Sequence, residues 1–90
     1  MGITIDGQEF ETAQEFHVLL KDRLELPDYY GENLDALWDC LIGWVDLPMK
    51  LTWVNFALSE SRLGAYADEA ARVFRDAERE LEGFVFYAIS

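Results

Sequence analysis

Cationic side chains are scarce in this sequence. Its 90 residues carry seven Lys and Arg against 18 Asp and Glu, a formal net charge of −11 with a pI near 4.2. That deficit argues against direct binding of DNA or RNA, whose phosphates would be repelled, and against an anionic membrane surface. Cysteine is nearly absent too. Cys40 is the only one, so no intramolecular disulfide can form, and a reducing cytoplasm is the expected setting. His17 is the sole histidine, and no Gly-rich phosphate loop, Cys/His metal spacing or calcium loop occurs, so no metal or cofactor is expected. No apolar run reaches the roughly 20 residues that span a bilayer. The opening Met-Gly-Ile-Thr-Ile-Asp lacks the basic start and apolar run of a secretory signal.

What is present suits one dense domain covering residues 1–90. A chain this short buries only about 60–65% of its extended-chain surface on folding. With 51% hydrophobic and 14% aromatic residues the core can still be well filled. Ile3 to Ile5 reads as a strand ended by Asp6-Gly7, a pair that could also close a hairpin with Glu9-Phe10 returning. Thr12-Ala13-Gln14-Glu15 fits a capping box. The helix behind it runs to about Leu24, with Ala13, Phe16, Leu20 and Leu24 inward, and Pro27 ends the element. His17 falls on the edge of this predicted surface helix, a structural or exposed position. Asn33 is placed to cap a second helix, in which Leu34, Leu37, Trp38, Leu41 and Val45 recur at helical spacing. Gly43 and Pro48 mark its end.

Lys50 to Val54 reads as a strand and Asn55 as the cap of a short helix through Leu63. A fourth helix, from about Ala65 to Glu82, buries Ala67, Ala70, Ala71, Phe74, Ala77 and Leu81. Phe84 to Ile89 is apolar on both faces, as in a strand covered on both sides. Helical crossovers between strands favour parallel pairing. The fold class is therefore α/β: a small three-stranded parallel sheet packed with about four helices.

The most informative stretch is Tyr29 to Trp44, Tyr-Tyr-Gly-Glu-Asn-Leu-Asp-Ala-Leu-Trp-Asp-Cys-Leu-Ile-Gly-Trp. Between Arg23 and Lys50 stand Glu25, Asp28, Glu32, Asp35, Asp39 and Asp46, with no Lys or Arg among them. On a helix, Asp35, Asp39 and Ile42 share one stripe beside Trp38. Like charges at i,i+4 destabilise a helix by a few tenths of a kcal/mol. Such a face suits a strongly cationic partner; it equally describes the solvated side of an acidic protein's helix.

This run resembles the barstar family, intracellular inhibitors of barnase-like ribonucleases, most closely over Leu26 to Trp53 and more weakly over the whole chain. The resemblance implies a barstar-like fold with strand order 1-2-3. It also implies that this helix and the loop before it enter a ribonuclease active site. Asp39 would then mimic the RNA phosphate, facing Arg and His groups of the target, because a guanidinium-lined phosphate pocket also takes a carboxylate. Asp35 would meet a guanidinium or backbone donors nearby, and Tyr29 would pack on the target's catalytic histidine. Asn33, Trp38, Ile42, Gly43 and Trp44 would line the rest. On the fourth helix, Asp76 would be a peripheral contact and Glu80 would steer the encounter.

Structural alternatives stand beside each assignment. Asn33 serves equally as an N-cap only. Trp38 and Trp44 are candidates for the core. Arg72 and Arg79 are spaced to pair with Asp76 internally. Tyr30 is assigned to packing, and Cys40 to the role of a small buried hydrophobe. Two departures from the family pattern matter. Ile42 replaces a threonine, which removes a polar contact and points to a ribonuclease other than barnase. Asp76 replaces a glutamate, shortening its reach.

The function implied is inhibition of a secreted, basic, barnase-like microbial ribonuclease by a protein that is a monomer when free and binds 1:1. An enzyme is not expected, because Asp35 and Asp39 are neighbours on one convex helix and cannot flank a scissile bond. The remaining alternative is an acidic adaptor or nucleic-acid mimic that binds another basic protein.

Overall fold

The computed structural model describes residues 2–90. Three strands, β1 (Gly2–Asp6), β2 (Met49–Val54) and β3 (Phe84–Ala88), form a parallel sheet in the order β1-β2-β3. Helices α1 (Ala13–Arg23) and α2 (Leu34–Gly43) connect β1 to β2, and α3 (Phe56–Leu63) and α4 (Ala65–Glu80) connect β2 to β3. Register places Ile5 beside Trp53, and Leu51 beside Phe86.

Burial alternates along each strand. Ile5, Met49, Leu51, Trp53, Phe84 and Phe86 are inward and buried, while Thr4, Lys50, Val85 and Tyr87 are exposed. The helices therefore cover one face of the sheet. Trp53 is the centre of the core: Phe16 stacks on it at 5.1 Å, and Phe56 and Phe74 meet it edge-on at 4.8 and 6.2 Å. Its indole N–H donates to the Ser59 hydroxyl at 2.9 Å, so the one polar atom of a fully buried ring is satisfied. Truncating such a residue costs about 3–5 kcal/mol. Ala67, Ala70, Ala71 and Ala77 are all fully buried on α4. Their small side chains let this helix lie close against α2, α3 and β3.

Several local expectations change in three dimensions. The Asp6-Gly7 pair does not close a hairpin. It opens a 3-10 turn over Gly7–Glu9, in which the Asp6 carboxylate accepts the Gln8 N–H at 2.9 Å, and among the described residues β1 pairs only with β2. Gly7 is required there, because a Cβ would stand 2.4 Å from the Asn55 carbonyl oxygen. The Thr12 hydroxyl accepts the Glu15 N–H, but Glu15 reaches back to the Glu11 N–H rather than that of Thr12.

Asn55 holds the cap position of α3 in the left-handed region, at φ 56°, and makes no side-chain cap bond; its amide donates to Asp6 at 2.8 Å. That bond, with the Gln8 N–H, holds the Asp6 carboxyl below its ordinary range. Helices α2 and α4 end earlier than periodicity suggests, at Gly43 and Glu80, leaving Val45 and Leu81 half-buried beyond them. Finally, β3 is not covered on both sides. It is an edge strand on a sheet with one open face, so Val85, Tyr87 and Ile89 are exposed, and Lys50 extends over the Tyr87 ring.

Candidate functional site

The acidic–aromatic run forms the loop after α1 and the whole of α2. Leu26 and Pro27 are buried beneath the loop, and the Pro27 carbonyl accepts the Tyr30 N–H at 2.9 Å. This turn separates two adjacent tyrosines. Tyr30 is buried, as its assignment to packing requires, whereas Tyr29 is 80% exposed. Asn33 then starts α2, its side-chain oxygen accepting the Ala36 N–H at 2.8 Å. That capping bond satisfies one of the helix's open donors and sets the angle at which α2 leaves the loop.

Leu37, Cys40 and Leu41 anchor α2 in the core, and Trp38 is half-buried at the boundary. Burial, helped by the nearby Asp39 charge, pushes the Cys40 thiol up, so it stays a protonated apolar filler. The opposite stripe carries Asp35, Asp39 and Ile42, all exposed. Among the described residues, neither aspartate makes a hydrogen bond or ion pair. The helix, Leu-Asp-Ala-Leu-Trp-Asp-Cys-Leu-Ile-Gly, contains no cation to supply one. Gly43 is exposed, with open space where a side chain would project.

Trp44 closes the site. It is about half exposed and meets the Tyr29 ring edge-on at 6.2 Å. Its indole N–H donates to the Glu25 carbonyl at 3.0 Å, fastening the far end of α2 to the start of the loop. The arrangement is thus two unpaired carboxylates on a capped helix, bordered by Trp38, Ile42 and an exposed Tyr29–Trp44 pair. It offers acceptors and flat apolar rings to a cationic partner and, being convex, encloses nothing.

The acids of α4 are placed differently. Asp76 forms an ion pair with Arg79, three residues along the same helix. Glu80 is exposed and makes no hydrogen bond or ion pair with the other described residues. No such bond joins either residue to the α2 face. A groove of about 610 Å³ on the outer side of α1 is lined by Glu9, Gln14, Glu15, Val18, Leu19 and Asp22, none of them part of the acidic–aromatic face.

Sequence reasoning missed the support beneath the loop. Of the two expectations for His17, structural or exposed, the structural one holds, but away from the helix edge: the ring is 1% exposed, with Nδ1 2.6 Å from the Tyr30 hydroxyl and Nε2 2.6 Å from the Tyr66 hydroxyl. A signal was available: His17 lies four residues after Ala13 and three before Leu20, on the buried stripe of α1. Its tyrosine partners, 13 and 49 residues away, left no local trace.

Comparison with known proteins bears on this geometry. Residues 1–89 match the family model described as Barstar (barnase inhibitor). A protein of Bacillus subtilis (strain 168) named "Putative ribonuclease inhibitor YrdF" is 55% identical over 80 residues, which span 89% of this chain and 88% of the relative.

Proposed function

The chain belongs to the barstar family, and on that premise we propose that it inhibits a secreted, basic, barnase-like ribonuclease by filling its active site with the Tyr29–Trp44 face. The observation that carries this reading is the state of Asp39 and Asp35: exposed, adjacent on a rigid capped helix, and without a partner among the described residues. An acidic face engaged by its own arginines would have argued the other way.

Asp39 takes the place of the RNA phosphate. A carboxylate presents two acceptor oxygens to a guanidinium fork, as a phosphate does, and the short charge-assisted bonds that result are among the strongest available. Asp35, one turn earlier, contacts a second donor group. Tyr29 stacks on the target's catalytic histidine, while Asn33, Trp38, Gly43 and Trp44 fill the remaining contact. Ile42 is 45% exposed; an apolar side chain at this point leaves any hydroxyl-seeking group on the target unpaired. It therefore selects a ribonuclease with an apolar counterpart over barnase itself. The complex is 1:1, and inhibition by occlusion protects the producing cell's cytoplasm before its nuclease is exported.

Titration of the purified protein against several microbial ribonucleases tests the proposal. Stoichiometric loss of RNA cleavage is expected with at least one of them. Association should slow by roughly tenfold or more between low and high salt, because opposite net fields steer the encounter. Inhibition of none, together with capture of a DNA-binding protein, would replace this reading with that of a nucleic-acid mimic.

A further inference from the structure

The imidazole of His17 is sealed between α1, the loop carrying Tyr29, and α4. The Tyr30 and Tyr66 rings stand against it, with centroids 5.8 and 5.9 Å away, and Phe16 meets it edge-on at 5.2 Å. Both ring nitrogens are engaged by tyrosine hydroxyls at 2.6 Å. A neutral imidazole has one donor and one acceptor, so the link has a single internal sense: one tyrosine donates its O–H to the bare nitrogen and the other accepts the N–H. A cationic imidazole donates from both nitrogens. The tyrosine that had been donating must then turn its proton elsewhere; where Nδ1 is the bare nitrogen of the neutral ring that tyrosine is Tyr30, which at 5% exposed has only the apolar interior to turn to.

Tyr30 is the residue next to Tyr29, and its hydroxyl makes, among the described residues, the loop's one side-chain hydrogen bond into the buried interior. The other ties are the Lys21 ammonium, which donates to the Asp28 carbonyl at 3.4 Å on the exposed side, Leu26 N–H to Lys21, Tyr30 N–H to Pro27, and the Trp44 indole to Glu25. We propose that His17 is a positioning residue for the partner-binding face: through Tyr30 it holds the loop that presents Tyr29, and it does so only while its ring is neutral. This rests on the inhibitor reading for its functional consequence. The charged and titratable groups around the link are few. Glu32, on the same loop, favours a cationic ring, while burial opposes it and prevails. Burial above all keeps both phenols protonated; Cys40 on α2, Tyr66 on α4 and Glu32 act in the same sense on Tyr30, and Glu69 on α4 does so on Tyr66.

The test compares wild type, His17→Gln and Tyr30→Phe from about pH 8 to about 5.5, which spans imidazole titration. Glutamine keeps a donor and an acceptor but does not titrate. Phenylalanine keeps the ring and severs the link at every pH. Two quantities are followed: amide exchange of residues 28–33 in the uncomplexed protein, and the dissociation rate from one inhibited ribonuclease. Ratios to the glutamine variant at each pH remove both intrinsic exchange chemistry and the target's own titrating groups.

In wild type the ratio for the loop amides and for dissociation should rise about fivefold towards the acid end, the scale of one lost hydrogen bond, while core amides of α4 stay unchanged. Tyr30→Phe should show a similar rise already at the alkaline end, with no further pH dependence. The proposal is overturned if wild type and His17→Gln track each other throughout, or if loop and α4 amides loosen together, which would mark a merely structural histidine. If no ribonuclease is bound by any of the three proteins, the inhibitor reading fails, yet the exchange ratios still decide whether His17 holds the loop.

Discussion

Asp35 and Asp39 on α2 and Asp76 and Glu78 on α4 have the same charge and very different surroundings. On α4, Asp76 has Arg79 beside it, and Glu78 accepts the Phe86 N–H at 2.8 Å. That N–H points away from β2 on an edge strand, so the carboxylate also closes a site where another strand could pair. On α2, Asp35 and Asp39 have only each other, at a spacing where like charges repel. Partnered acids contribute to the fold. Unpartnered ones detract slightly from it, and that small penalty is offset only when another molecule brings the cation. A net charge of −11 therefore says little about where function lies; the location of the cations says more.

Asp39→Ala should sharpen the contrast most. Removing one member of a desolvated charge pair leaves the target's cations unmatched, and inhibition should weaken by more than about a hundredfold. Barstar's own interfacial aspartate is the standing example of such a hot spot, so the ordering among these variants, not its size, is what is predicted. Folding stability should stay level or rise by a few tenths of a kcal/mol, since the repulsion with Asp35 is relieved. A urea melt combined with an inhibition titration reads both effects.

Glu78→Ala should do the reverse. The part-buried Phe86 N–H loses its acceptor, so stability should fall by roughly 1–2 kcal/mol, with the inhibition constant unchanged. If Glu78→Ala also abolished inhibition at concentrations where the protein is folded, the division between the two faces would be wrong.

The division was only partly legible in the amino-acid sequence, and the reason is range. Caps and stripes act within four residues. Thr12, Asn33 and the alanine stripe of α4 therefore announced their helices, and the run from Asp35 to Ile42 announced an exposed face. The absence of Lys and Arg from Arg23 to Lys50 was also visible, and with it the shortage of partners for Asp35 and Asp39. What stayed hidden depends on contacts across the fold. Asn55 turns to Asp6, 49 residues away, instead of capping its own helix. The apolar run at Phe84–Ala88 could not reveal that no helix covers its second face. His17 looked like an edge residue because neither of its hydroxyl partners is local.

Mild acid probes that hidden link without any substitution. Burial holds His17 below its ordinary value of 6.5. The neutral ring's contribution is thus complete above about that value and declines as pH falls from there towards the lower folded-state value. Glu60 works in the opposite sense. Its hydrogen bond with Asp68 holds its carboxyl above the ordinary range, which favours the folded state as acid is added. Denaturation midpoints measured from about pH 8 to 5.5 on wild type and His17→Gln separate the two contributions. The wild type should lose stability relative to the variant across this window. Parallel curves would show that the joint beneath the α2 face does not titrate.

The smallest expected effect bears most directly on whether α4 also touches the target. Asp76 and Arg79 both reach solvent, with side chains 40% and 74% exposed. An ion pair of this kind contributes no more than a few tenths of a kcal/mol, so Asp76→Ala should barely move a urea midpoint. Its binding consequence follows from where the carboxylate points. If Asp76 stays with Arg79, the substitution only reduces the acidic field, and association should slow by less than about twofold with dissociation unaltered, as for Glu80→Ala. A dissociation rate raised tenfold by Asp76→Ala alone would mean that the carboxylate leaves Arg79 to meet a cation on the ribonuclease. An internal partner would then no longer distinguish a structural acid from a functional one, and the interface would have to be extended from α2 across to α4.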